Sequence, residues 1–209
     1  MLDFNNLWLV RTNPDNTNRL KEYLENDIIA IGWGKLLDLT SMPKSEIFTE
    51  LSRNNYSCSN VTLGVINHFV NNIQVDDLCI IPYGDKIYIA KVTGPYYYDA
   101  TKVEDGYPHQ RKVEFINKEK PISRTSLPDA VRKSLGAQNY VAHLRHGIDE
   151  FKSFLFETEP ASENINLQEN LKKMLPKAIE NIKNAMDCDD VQRRFNASVE
   201  VLRLLQKYE

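Results

Sequence analysis

The hydrophobic period changes near residue 75, and that change restricts the chain to folds that mix helix with sheet. Val61, Val65, Ile66, Phe69, Val70 and Ile73 recur at steps of three and four, the apolar stripe of a helix. Directly afterwards, Leu78–Pro82 is a compact apolar run and Lys86–Val92 alternates. Ile87 and Ile89 face one way and Tyr88, Ala90 and Val92 the other, as on a strand. Tyr83-Gly84-Asp85 between the two runs reads as a hairpin turn. The fold class that follows is α+β: a small curved mixed sheet or open barrel with helices packed outside.

The flanking segments fit that class. Leu7–Arg11 reads as a strand closed by the turn Asn13-Pro14-Asp15. Leu20, Tyr23 and Leu24 follow at helical spacing, with Asn16 or Thr17 as the expected N-cap. Ile28–Trp33 is a second strand, and Ser41-Met42-Pro43 opens a helix carrying Ile47, Phe48 and Leu51 on one face. Gly94-Pro95 is expected to end the alternating strand. Lys112–Ile116 and Tyr140–Leu144 are further strands, and Leu127–Leu135 a short helix stopped by Gly136. These elements place one domain at 1–156 and a polar linker at 157–165. A helical hairpin is expected at 166–209, with Leu167, Leu171, Leu175, Ile179, Ile182 and Met186 forming its first stripe and Pro176 interrupting it. A hairpin cannot bury two apolar stripes alone, so it folds back on the sheet or pairs with another chain. Pairing is the favoured expectation, as a homodimer or with an effector protein.

Composition excludes several classes. With 209 residues, 26% charged and a net charge of −3, the chain has no basic field for indiscriminate nucleic-acid binding. A nucleic-acid site must be a local patch, or must work through shape and stacking. Cys58, Cys79 and Cys188 are scattered without metal-ligand spacing, which suggests reduced thiols. The opening residues show no basic segment followed by an apolar one, and no apolar run is long enough to span a bilayer. A cytoplasmic protein without membrane association is expected. There is no glycine-rich phosphate loop and no serine elbow, and His143 and His146 lack companions for a metal. Glu169 with Lys172, and Glu180 with Lys183, are spaced for helical ion pairs. The expectation is a non-enzyme with no cofactor and no metal.

The segment most suggestive of function is Ile29-Ala30-Ile31-Gly32-Trp33-Gly34, an apolar strand that ends by setting an indole between two glycines. His109-Gln110-Arg111-Lys112-Val113-Glu114-Phe115 adds an alternating strand with basic positions. A rigid aromatic plane near cationic side chains suits a flat base beside a phosphate. Trp33 either fills the core or presents that plane. Arg11 and Lys112 are either phosphate contacts or ordinary solvated strand residues, and His109 either contacts a base or belongs to a loop. The run Tyr96-Tyr97-Tyr98 should divide by alternation between core and surface.

Taken in order, Trp8-Leu9-Val10-Arg11, Ala30-Ile31-Gly32-Trp33, Gly84-Asp85-Lys86-Ile87-Tyr88, Ala90-Lys91-Val92-Thr93-Gly94-Pro95-Tyr96-Tyr97-Tyr98, His109–Phe115, Arg124 and Ser134-Leu135-Gly136 resemble a PUA-like domain of the EVE and YTH kind. More narrowly, they resemble the N-terminal module of Mrr-type and other modification-dependent restriction endonucleases. The resemblance spans roughly residues 5 to 146. It implies a half-open barrel that takes a modified nucleobase, flipped out or single-stranded, into an aromatic cage. Trp33 matches one wall. Phe115 stands where a second tryptophan is more usual, and Tyr83, Tyr96, Tyr97 or Tyr98 are possible substitutes. Arg11, Arg111 and Lys112 are the implied phosphate contacts, with His109 on a base edge or a phosphate. Mrr-type relatives carry a separate nuclease domain, whose Asp and Glu-x-Lys pattern has no counterpart here. The implied role is therefore a reader of modified DNA linked to restriction or phage defence. An RNA-binding PUA-like protein, or a dimeric adaptor with no base-binding role, are the alternatives.

Overall fold

Both faces of the central sheet are covered, which is why its strands are apolar without interruption. The structure, a computed structural model, describes residues 4–136 and 139–158. Its strands are β1 (Leu7–Val10), β2 (Ile28–Ile31), β3 (Leu78–Tyr83), β4 (Lys86–Tyr98), β5 (His109–Phe115), β6 (Ile122–Ser123) and β7 (Val141–His143). Helices α1 (Leu20–Asn26), α2 (Lys44–Arg53), α3 (Asn60–Asn67), α4 (Asp129–Ser134) and α5 (Ile148–Thr158) are interspersed. The strand order is β2-β5-β4-β3-β1-β7, with β6 pairing on β4. β1 and β3 run parallel, and the other pairs are antiparallel.

Side-chain alternation sorts the sheet into two cores. Trp8, Val10, Cys79, Ile81, Tyr88, Ala90 and Val92 point to one side, where Tyr23 of α1, Ile47 and Leu51 of α2 and Ile66 of α3 cover them. Leu7, Leu9, Leu78, Ile80, Ile87 and Ile89 point to the other, against Val131 of α4 and Phe151 of α5. The sheet is also curled. The buried Tyr23 hydroxyl lies 2.5 Å from the carbonyl of Ala30 on β2 and 3.4 Å from that of Arg11, just past β1. Strands four places apart in the sheet are thus brought face to face without pairing, and the sheet stays open between them.

The expected hairpin of β3 and β4 and its facing pattern are present, and Cys79 is a buried core residue. Other boundaries differ. Gly94-Pro95 does not end β4: the strand continues to Tyr98 through a register shift between Val92 and Tyr96. A bulge there accommodates a proline that cannot donate to the ladder. α1 begins at Leu20 with Arg19 at its N-cap, and Asn18 rather than Asn16 or Thr17 accepts from the first helical amide. Phe48 and Val61 are exposed rather than packed. The helix expected through Ile73 changes to a π-turn at His68–Asn72. β6 and α5 have no counterpart in the sequence reading, and Glu157 and Thr158, expected to begin a linker, close α5. The rest of that linker and the hairpin at 166–209 lie outside the described residues. Among the described residues, no helix is long and apolar enough to cross a membrane.

Candidate functional site

Three of the seven left-handed non-glycine residues described, Asp15, Asn16 and Trp33, lie at the gap between β2 and β1. β2 ends at Ile31, and Trp33 two residues later adopts φ +66. Left-handed backbone is disfavoured for a bulky side chain and persists where the surroundings dictate it. Asp15 and Asn16, in the turn after β1, are also left-handed, at φ 46 and 62. Gly32 allows the two turns to meet: a Cβ there would lie 2.7 Å from Asp15 Oδ1. Gly106 crowds the same carboxylate from a second side, a Cβ there falling 3.1 Å from Oδ2.

Together Pro14, Asp15, Asn16, Gly32, Trp33 and Tyr140 line a recess of about 170 Å³. A pocket of roughly 150 Å³ admits one benzene ring, whereas drug-sized ligands use roughly 300 Å³ or more. The half-buried Trp33 ring meets Tyr140 edge-on, with centroids 6.4 Å apart and planes at 77°. Tyr140 Oη donates to Asn16 Oδ1 at 3.0 Å, which fixes the second aromatic wall. The recess therefore offers an indole, a phenol, an exposed carboxylate and an amide. That set can stack a planar heterocycle and accept hydrogen bonds from its edge.

The expected site residues divide sharply. His109 is fully buried and is neither a base contact nor a loop residue. The Leu39 amide donates to Tyr96 Oη at 3.2 Å, and Tyr96 Oη is 2.7 Å from His109 Nδ1. His109 Nε2 is 3.4 Å from the Trp33 carbonyl, which can only accept, so Nε2 carries the proton. Burial lowers this imidazole to about 4, so it is neutral at physiological pH. The chain Leu39–Tyr96–His109–Trp33 holds the indole's backbone from behind. Tyr96 is thus a buried anchor, and Tyr98 tilts against His109 with centroids 5.4 Å apart; neither lines the recess. Tyr97 is half-buried and donates to Gln110 Oε1 at 2.7 Å.

Phe115 is not a second cage wall: it is buried, pairs with Ala90, and stands six residues along β5 from His109, about 20 Å away. Tyr83, the last residue of β3 and 44% exposed, is not part of the recess either. Nor is Arg111 a phosphate contact. Its buried guanidinium donates to the carbonyls of Phe69 and Val70 at 2.7 and 2.9 Å and to that of Gly94 at 3.4 Å. Desolvation lowers its pKa to about 10, which leaves it charged at neutral pH. Arg11 donates to the carbonyls of Asn139 and Leu135, at 3.2 and 3.3 Å, and so braces the turn that carries Tyr140. Lys112 alone of the expected cations is exposed, with its ammonium 3.3 Å from the Asn26 carbonyl. Trp33 is the only expected cage residue that lines the recess; Tyr140, Asp15 and Asn16 were not foreseen there.

Residues 8–137 match the family described as Domain of unknown function (DUF8426). The chain belongs to this family. The match takes in β1 from Trp8 onward, β2, Trp33 and the turn at Asp15, and it ends just before Tyr140. No curated protein matches the chain.

Proposed function

We propose that this chain is a non-catalytic nucleic-acid-binding module, PUA-like in kind, that reads a modified DNA base at the Trp33 recess. The observation that carries the reading is the left-handed Trp33, braced through His109, whose indole borders a hollow of single-ring size. A methyl group on a base adds little hydrogen bonding, so it is sensed by shape and desolvation against aromatic faces. Stacking of about 1–3 kcal/mol per base offsets a flipping cost of a few kcal/mol. Asp15 suits an exocyclic amino group, because a carboxylate accepts the hydrogen bond that such a group donates. A role in modification-dependent restriction or defence follows from the resemblance, and a cytoplasmic setting from the scattered cysteines without metal-ligand spacing.

The test is a binding screen of the full chain against oligonucleotides that differ in one altered nucleotide, with unmodified DNA and single-stranded RNA as competitors. Preference for one altered base over its parent by about tenfold is the expected result. Equal affinity across the panel would remove the reader assignment, and preference for RNA would transfer the recess to an RNA ligand.

A further inference from the structure

A second cleft, of about 410 Å³, lies between α3 and β7 and takes no part in the recess. Its polar lining is Asn60, His68, Asn139, His143 and Arg145, with no carboxylate among the described residues that line it. Sequence spacing left His143 without a companion, and the fold supplies one. Trp8, buried and fixed by an Nε1 donation to Asp77 at 2.8 Å, carries both imidazoles. His143 stacks on it with centroids 4.4 Å apart, and His68 tilts against it at 5.3 Å.

The hydrogen bonds define what these rings present. Arg145 Nε donates to His143 Nδ1 at 3.3 Å, which leaves the ring proton on Nε2. That Nε2 is closed to solvent and has no acceptor among the described residues. Asn72 Nδ2 lies 3.0 Å from His68 Nδ1 and can only donate, so His68 also carries its proton on Nε2. Burial first, then neighbouring positive charge, lowers both imidazoles: His143, Arg145 and Lys44 act on His68, and Arg145 on His143, with Asp77 the opposing charge on His143.

Gly64 is an independent sign. It sits inside α3, where glycine is unfavourable, and a Cβ there would meet nothing within 4 Å. Packing does not require it; it keeps the cleft open. The residues around Tyr140 divide between the two hollows: Tyr140 lines the recess, and its neighbours Asn139 and Val141 line the cleft. A lining residue of the recess and one of the cleft are thus consecutive in the chain, about 3.8 Å apart between Cα atoms.

We infer that the His68–His143–Arg145 cleft is a phosphate site that takes a backbone phosphodiester of the strand whose base enters the Trp33 recess. The His68 imidazole and the Arg145 guanidinium, with no carboxylate among the described lining residues, suit an oxyanion and disfavour a metal cation, and His143 holds Arg145 in place through Nδ1. The preference for phosphate stands on the cleft alone, and its nucleic-acid source rests on the base-reading proposal above.

The experiment has two arms on the full chain. In the first, inorganic phosphate is titrated while the Cε1–Hε1 NMR signals of His68 and His143 are followed. Both signals should shift in the parent and in Trp33→Ala, and neither in Arg145→Gln or in Gly64→Leu, which fills the cleft. No shift in the parent, or equal shifts in all variants, overturns the phosphate site, even if modified DNA still binds. In the second arm, the oligonucleotide bound most tightly is remade with a neutral methylphosphonate beside the altered base. Affinity should fall about tenfold in the parent and stay level in Arg145→Gln. If phosphate binds but no oligonucleotide does, base reading fails and the cleft is a site for a free phosphate. If oligonucleotides bind and the methylphosphonate changes nothing, the cleft does not hold their backbone.

Discussion

Among single residues, Gly32 and Asp15 are as consequential as the indole. Gly32→Ala would set a Cβ 2.7 Å from Asp15 Oδ1 and 3.2 Å from its backbone nitrogen, so the carboxylate must swing out of the recess and the backbone must give slightly. The expected outcome is a loss of about 1–3 kcal/mol in urea unfolding, together with loss of base discrimination. Asp15→Asn keeps the shape and exchanges a pure acceptor for an amide; it should weaken an amino-bearing base about tenfold and leave stability within about 0.5 kcal/mol. Trp33 was legible in the sequence as an aromatic at a strand end. Tyr140 and Asp15 were not, because one sits in an apparent strand and the other in an apparent turn. Only the curl of the sheet brings them to the indole. Arg11 and Arg111 misled for a related reason: a cation on a strand reads as a surface charge until the carbonyls it satisfies are placed.

At the scale of elements, helix termini explain what the basic residues do. The π-turn at His68–Asn72 leaves the Phe69 and Val70 carbonyls to be satisfied from outside, and Arg111 on β5 reaches across to them. Arg111→Met should cost about 1–3 kcal/mol by orphaning those buried carbonyls. A urea midpoint unchanged at constant m-value would contradict this. Gly64→Ala in α3 should raise stability by about 0.5–1 kcal/mol, since its Cβ meets open space. Helix stripes and the β3–β4 hairpin were readable because their periods are local. The bulge that carries β4 past Pro95, the two-residue β6 and the end of α1's cap were not, since each is set by a neighbour distant in sequence.

Over the whole molecule, the buried histidine sets a pH window. His109 titrates at about 4 when folded, and an unfolded imidazole at roughly 6.5, so only the unfolded chain takes up that proton in between. Stability should be complete above about pH 6.5 and fall as the pH drops toward 4, by about 3 kcal/mol from this group. His68 and His143, also lowered, act in the same direction. His109→Gln, which retains a donor for Trp33 and an acceptor for Tyr96, should flatten much of the slope between pH 6.5 and 5. The curl that joins β1 to β2 through Tyr23 makes this buried network and the recess one assembly, so damage to His109 should also loosen the indole.

The decisive measurement is the affinity of Trp33→Ala for the altered and parent oligonucleotides, taken beside its circular dichroism. With the native spectrum retained, affinity for the altered base should fall at least about tenfold and the discrimination should vanish. A folded Trp33→Ala protein that still binds the altered base as tightly as the parent chain does, with the same preference, would contradict the account.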